Sequence, residues 1–338
     1  MHIPTPLIFL GFSLGLAMAT PAPTSSIEKT SKHGGNPREY LESIVKQLLD
    51  SIVAHDSSSL PLATVYKMTE NSHPVSVTMS TTWRTITKAE SPSLLAIDTT
   101  NDSAYFVLDI SEGNDKTESI LHGRVKVDGL DGRITELELF INRSRGDDGF
   151  AFSAAQLAAN YKILMSPPAN RKKASRKTLE NLGEAVFDPS NDLTVNVSDS
   201  CQFTEVGWKV VDTGTWGNDS SDPLSCSWPS TRPGDANARA NLVVDEELGF
   251  VITSGMVPGK VYPYIGNIST FIPDSMTSAQ EAQVVWYDTV KAQGNLSLLA
   301  PTEATGENME VLQYYNDELQ AMQLNVYLNG PNMTSAWL

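Results

Sequence analysis

The strand-like run Val65-Tyr66-Lys67-Met68-Thr69 ends in a carboxylate, Glu70, with an amide, Asn71, beside it. A carboxylate held in an apolar pocket has its ionised form penalised. Its pKa then climbs until it can take a proton from carbon near neutral pH. A neighbouring hydroxyl or amide steadies the enolate that results. Glu70 is the candidate base on this logic, Asn71 and Tyr66 are candidate donors, and Trp83 is an apolar wall. His122, within a long alternating stretch, is an alternative base if it faces inward. Plain structural readings stand beside these. Glu70 could cap a turn or pair with Arg84 or Arg124, and Trp83 could be ordinary core. Glu136 and Glu138 alternate with Leu137 and Leu139 and read as a solvated strand face. Asp245-Glu246-Glu247 reads as an acidic hairpin turn.

Other chemistries find no foothold. The Gly-x-Ser-x-Gly pattern at Gly11 to Gly15 falls in an N-terminal apolar run, where no nucleophile elbow can form. There is no Walker loop, dinucleotide fingerprint or His-Glu-x-x-His, and the later histidines, His33, His55, His73 and His122, are scattered. No cofactor and no metal are expected.

The elements around Glu70 follow from periodicity. Pro37 opens a segment in which Leu41, Ile44, Val45, Leu48, Leu49 and Ile52 recur at helical spacing. The Glu70 strand follows. Next come a hairpin turning at Thr99 to Ser103 and another around Gly129 to Gly132. From about Arg176 the order repeats: a helix with Leu179 where Leu41 stood, Phe203-Thr204-Glu205-Val206 echoing Met68-Thr69-Glu70-Asn71, Asp245 opposite Asp98, and a closing hairpin. The second copy carries insertions, among them the cysteine loop with Trp208, Trp216 and Trp228 and a helix near Trp286. A helix followed by a long antiparallel sheet is an α+β pattern, and a repeat of this length is a duplicated domain. The expected fold is two tandem cone-shaped domains, each a helix on a curved sheet. The expected boundaries are 1–19 for a signal peptide, 20–36 for a linker, 37–150 for the first cone, 151–174 for a helical connector and 175–338 for the second cone.

The compartment is legible too. The apolar run before Ala17-Met18-Ala19 is short and ends in a small-x-small cleavage pattern, which predicts secretion or residence in the secretory lumen. Asn-x-Ser/Thr sequons at Asn101, Asn142, Asn196, Asn218, Asn267, Asn295 and Asn332 agree, as does a single cysteine pair, Cys201 and Cys226, expected to form a disulfide. A net charge of −16 over 338 residues disfavours nucleic-acid and anionic-membrane partners. No later segment is long and apolar enough to anchor the cleaved chain.

Several stretches carry a family resemblance: "YLESIVKQLLDSIVAHDSSSLPLATVYKMTEN", "TTWRT", "GRVKVDGLDGRITELE", "LVVDEELGFV" and the closing "YLNGPNMTSAWL". They resemble a tandem family of nuclear-transport-factor-2-like proteins, relatives of ketosteroid isomerases and SnoaL-type cyclases. These include secreted fungal ketosteroid-isomerase-like proteins of maleidride biosynthesis. The resemblance implies cofactor-free isomerisation, cyclisation or dimerising C–C bond formation on a polyketide-derived molecule, with pathway enzymes as possible partners. The alternative is a secreted protein that binds a small hydrophobic ligand without turnover. The family's Thr-Glu-Asn-Gly stands here as Thr69-Glu70-Asn71-Ser72, and its second-copy Glu-Asn-Gly as Glu205-Val206-Gly207, a divergence that points to the first copy as the active one.

Overall fold

The computed structural model describes residues 35–143, 154–188, 195–209, 226, 237–265, 268–276, 278–294 and 299–338. The expected signal peptide, nearly all of the 20–36 linker, the sequons at Asn218, Asn267 and Asn295, and Trp216 and Trp228 lie outside these residues. Helix α1 (Pro37–Ala54) starts where the Asn36 side chain accepts from the Arg38 amide at 3.0 Å, with proline in its first turn. It stops at His55, which adopts a left-handed conformation at φ 55°. Strands β1 (Leu62–Glu70) and β2 (His73–Pro74), the short helix α2 (Thr82–Thr85), and β3 (Ile86–Ala89), β4 (Leu94–Asp98), β5 (Ser103–Glu112), β6 (Thr117–Val127) and β7 (Ile134–Arg143) complete the first half. They form one sheet in the order β2-β1-β7-β6-β5-β3, with β4 also paired to β5, and only β1 and β7 run parallel.

After α3 (Ala154–Leu164), the second half begins with α4 (Arg176–Val186), β8 (Val197–Glu205) and β9 (Trp208–Lys209). It continues with β10 (Arg239–Asp245), β11 (Phe250–Ile265), β12 (Ile268–Pro273), α5 (Ser278–Gln293), β13 (Thr302–Tyr315) and β14 (Glu318–Asn329). The sheet order is β9-β8-β14-β13-β11-β10, again with a single parallel pair, β8 and β14. The pairing scheme of the first sheet therefore recurs, with one difference: β12 follows its partner β11 in the chain, whereas β3 precedes β5. The protein is a mixed α+β fold of two curled sheets with few helices.

Alternation along the strands sends side chains to opposite faces. On β6, Leu121, Val125 and Val127 meet Leu41, Leu48 and Ile52 of α1 in one core. In the second half, Leu179, Leu182 and Val186 of α4 cover Val244, Val251 and Leu312. Gly183 lets α4 approach closely, because a Cβ there would stand 2.3 Å from the Asn241 Oδ1 and 3.0 Å from a Val251 methyl. The faces turned away from α1 and α4 meet in a third core. Tyr105, Val107, Ile120 and Phe140 of the first sheet and Phe250, Ile252, Met309 and Val311 of the second pack there around Leu157, Tyr161 and Leu164 of α3.

Two reciprocal ion pairs clasp the halves. Arg38 of α1 donates in bidentate fashion to Asp245 of β10 at 3.0 and 2.9 Å, and Arg176 of α4 does the same to Asp98 of β4 at 2.9 and 2.8 Å. Each aspartate also takes a backbone amide from the opposite half, Asp245 from Ile97 at 2.9 Å and Asp98 from Val244 at 3.1 Å. The acidic turn at Asp245 is thus more than a solvated loop: the aspartate is fully buried.

Candidate functional site

Glu70 ends β1 on the α1 side of its sheet, buried. Its carboxylate accepts from the amides of Thr81 and Thr82, at 2.6 and 2.9 Å, and from the Thr82 hydroxyl at 3.1 Å. It therefore ties down the start of α2, which is the turn-capping role. Arg124 is engaged elsewhere. Asn71 sits at φ 51° and its Oδ1 accepts from the Ile141 amide at 2.9 Å, joining the β1 turn to β7. Tyr66 lies partly buried against the α1 core. Trp83 is core, its Nε1 donating to Ser51 Oγ at 3.0 Å.

His122 points the other way, into the space between the sheets. It stacks on Phe140 at 5.0 Å between centroids and faces the Tyr105 hydroxyl at 3.3 Å, fully buried. Burial holds the ring's pKa down at about 3, so it stays neutral. The structure thus sets Tyr66 and Glu70 on one face of the sheet and His122 on the opposite one.

The counterpart of Glu70 is in different company. Glu70 pairs across β1 and β7 with Leu139, and the same transverse row continues through Gly123 and Phe106. The matching row of the second sheet runs Glu205, Leu324, Glu310, Thr253. Where the first half places Gly123 and Phe106, the second places a carboxylate and a hydroxyl. One step along β13, Asn308 stands where β6 has Leu121, and its Nδ2 donates to Glu310 Oε1 at 2.6 Å. Glu205 shares its face with Cys201 and Phe203, Glu310 with Leu312 and Thr253 with Val251, all on the α4 side. Two strand spacings separate the carboxylate-bearing backbones, about 10 Å. Glu205 is partly buried, and desolvation raises its pKa. The Thr253 hydroxyl and the Asn308 Oδ1 are buried with no hydrogen-bond partner.

A second polar cluster lies between the sheets. Glu138, expected on a solvated face, is fully buried because the second half packs over β7. Arg239 of β10 holds it through two nitrogens at 3.1 and 2.5 Å, and Arg124 Nε reaches it at 3.3 Å. Arg124 also donates to Glu136 at 2.6 Å. Although burial pushes the other way, the Arg124 charge and its hydrogen bond hold Glu136 below the usual carboxylate range. Behind Arg239, Glu307 hydrogen-bonds Ser72. Burial and the nearby Glu138 push its pKa up to about 7. The Arg239 Nε is buried without a partner, and such an unmade donor costs about 1–3 kcal/mol. Arg124, Glu136 and Arg239 line a cleft of about 480 Å³ together with Lys67, Lys126 and Trp337.

Sequence reasoning passed over Glu310, Arg239, Glu307 and Trp337. A signal existed for part of the cluster. Arg124 and Lys126 face Glu138 and Glu136 across the β6–β7 hairpin, a complementary pattern symmetric about the turn. The disulfide Cys201–Cys226 is present, with Cα atoms 5.8 Å apart. Of the described sequons, Asn101, Asn196 and Asn332 are exposed. Asn142 instead turns into the interface and donates to the Val326 carbonyl at 2.8 Å, so a glycan there conflicts with the fold. Among the described residues no group of metal-ligating side chains is assembled, and no helix is long and apolar enough to cross a membrane.

No family model and no curated protein matches this sequence. Among solved structures the chain is similar to a protein of unknown function with a cystatin-like fold from Methylobium petroleophilum PM1. The identity is 14%, over 32% of this chain and 81% of that one, with a TM-score of 0.26. A likeness this slight carries no argument about function.

Proposed function

We propose that the protein is a secreted pair of tandem cone domains of the nuclear-transport-factor-2-like type, spanning 37–150 and 175–338 about the 151–174 connector, and that its second half performs cofactor-free acid–base chemistry on a small polyketide-derived molecule. The observation that carries the reading is the transverse row of the second sheet, where Glu205, Glu310 and Thr253 replace the sealed apolar row around Glu70. The recurring strand order and the reciprocal Arg38–Asp245 and Arg176–Asp98 pairs support the duplication. The apolar N-terminal run and the disulfide support secretion.

In this mechanism Glu205, poised by desolvation, takes a proton from a carbon next to a carbonyl. The Thr253 hydroxyl donates to the developing enolate oxygen, and Glu310, protonated at the start and oriented by Asn308, delivers its own proton at a second carbon; exchange with water then removes the proton from Glu205 and restores that of Glu310. Proton abstraction followed by reprotonation is an isomerisation; capture of the enolate by an electrophilic carbon is a cyclisation or coupling. Glu70, fully engaged by Thr81 and Thr82, serves architecture.

The test is deuterium incorporation. A panel of small unsaturated polyketide-type ketones and acids is incubated with the protein in D₂O, and C–H exchange is followed by mass spectrometry. Glu205→Gln is expected to slow exchange by about 10²–10⁴-fold, and Glu70→Gln to leave it within a few-fold. No exchange by the native protein, or undiminished exchange in Glu205→Gln, refutes the assignment. Binding of panel members without exchange favours the non-catalytic ligand carrier.

A further inference from the structure

We infer that the cleft between the two sheets is a binding site for a small organic anion, held by Lys67, Arg124, Lys126 and Arg239. It is separate from the Glu205 row, which lies on the α4 face of the second sheet. The cleft lies on the opposite face and draws its walls from β1, β6, β10 and the segment carrying Trp337.

Charge is the first argument. The chain carries a net −16, yet this cleft gathers four cations. Lys67 Nζ, the Arg124 guanidinium and the Arg239 guanidinium lie 4.8, 5.2 and 5.7 Å from the centroid of one indole, Trp337. Like charges converging on a single ring repel, and the indole face offsets only part of that. Glu138 compensates Arg124 and Arg239 from beneath, and Glu136 compensates Arg124 and Lys126 from the side, Lys126 at 3.7 Å. Among the described residues no carboxylate lies within ion-pair distance of Lys67, which is exposed. Four cations thus stand against Glu136, Glu138 and, 3.5 Å from Arg239, Glu307, and Lys67 is the cation left without an ion-pair carboxylate.

The unmade bond is the second and independent argument. Arg239 is only 9% exposed; two of its guanidinium nitrogens are fixed by Glu138 and Ser254, and its Nε has no acceptor. The guanidinium is held by its far edge, and its buried near N–H keeps an unmet donor at a residue that lines the cleft. Trp337 is itself fixed, its Nε1 donating to Thr69 Oγ1 at 3.0 Å, so the wall does not need to form on binding. The volume is about 480 Å³. It exceeds what an inorganic ion fills and leaves room for an organic molecule.

The probes are benzoate and succinate, with inorganic phosphate for comparison. Binding is followed by calorimetry and by the ¹⁵N–¹H indole signal of Trp337, assigned with Trp337→Phe. Removing Arg239 would strand the buried Glu138, so the test variant is the outward pair Lys67→Gln/Lys126→Gln, which leaves the buried network intact. Benzoate or succinate is expected to bind with Kd near about 1 mM or tighter and to move the Trp337 signal. The double variant should weaken binding about tenfold, with a melting temperature close to native. The inference is overturned if neither carboxylate moves that signal by about 10 mM, if the double variant binds as tightly as the native chain, or if phosphate binds as well as either organic acid. The Glu205 proposal is untouched by any of these results, because its readout is carbon exchange at another face.

Discussion

Asp245→Ala tests the clasp between the halves most directly. The Asp245 carboxylate is fully buried and accepts five N–H groups: two from Arg38, and the amides of Ile97, Glu247 and Leu248 at 2.9, 3.0 and 3.1 Å. Truncation leaves the Ile97 amide unsatisfied in the interior and the Arg38 guanidinium without its partner. Removing one member of a buried pair costs about 3–5 kcal/mol. Arg38 retains 23% exposure and can turn partly toward water, which places this case near the lower end, about 3 kcal/mol. Arg38→Ala should cost less, about 2 kcal/mol, because the aspartate keeps its three backbone donors. The double variant should cost about 3–4 kcal/mol, short of the sum, since both single changes break the same bond. With an unfolding entropy near 0.6 kcal/mol/K for about 300 residues, Asp245→Ala should melt about 5 °C lower. Asp98→Ala, its counterpart facing Arg176, should agree within about 1 kcal/mol. Urea unfolding followed by circular dichroism supplies the free energies. A cost for Asp245→Ala below about 1 kcal/mol, or strict additivity in the double variant, refutes the reasoning.

Three further outcomes are expected. Reducing or replacing the Cys201–Cys226 bridge, with a sequence separation of 25, should lower stability by about 3.5 kcal/mol in urea unfolding. His122 resists protonation to about pH 3 when folded, while the unfolded ring titrates near its ordinary value. Its contribution is therefore intact above about pH 6.5 and is lost as pH falls toward 3, by roughly 4 kcal/mol; His122→Phe should flatten that part of a stability–pH curve. Glu307 acts with the opposite sign. Its folded pKa, up at about 7, means stability falls as pH rises from about 4.5 to 7, by roughly 3 kcal/mol, and Glu307→Gln should abolish that fall.

Much of the fold was legible because its signals are local. The α1 stripe from Leu41 to Ile52 and the hairpins about Thr99 and Gly129 follow from periodicity and turn chemistry, and the structure places them there. The return of the same elements after Arg176 was legible for the same reason. Glu70 shows the limit: sequence puts it at a strand end but does not reveal that two amides and a hydroxyl of α2 already occupy it. Glu205 was noticed as an echo of Glu70. Its place on one transverse row with Glu310 was hidden, because residues about a hundred positions apart come onto that row only through the β8–β14–β13 register.

By itself, then, the sequence determined the longer elements, their order and the one available disulfide, since backbone propensity, alternation and cysteine pairing act over short distances or admit one answer. The tertiary structure decided which faces are inside. Alternation on β7 separates Glu136 and Glu138 from Leu137 and Leu139 but is silent on whether water or protein lies beyond the charged face. Once the second half packs there, Glu138 is buried, Arg239 must neutralise it, and Lys67, Arg124 and Trp337 are drawn around one cleft. That outcome belongs to the packing of two sheets whose charges complement each other across roughly a hundred residues of chain. No local pattern encodes it.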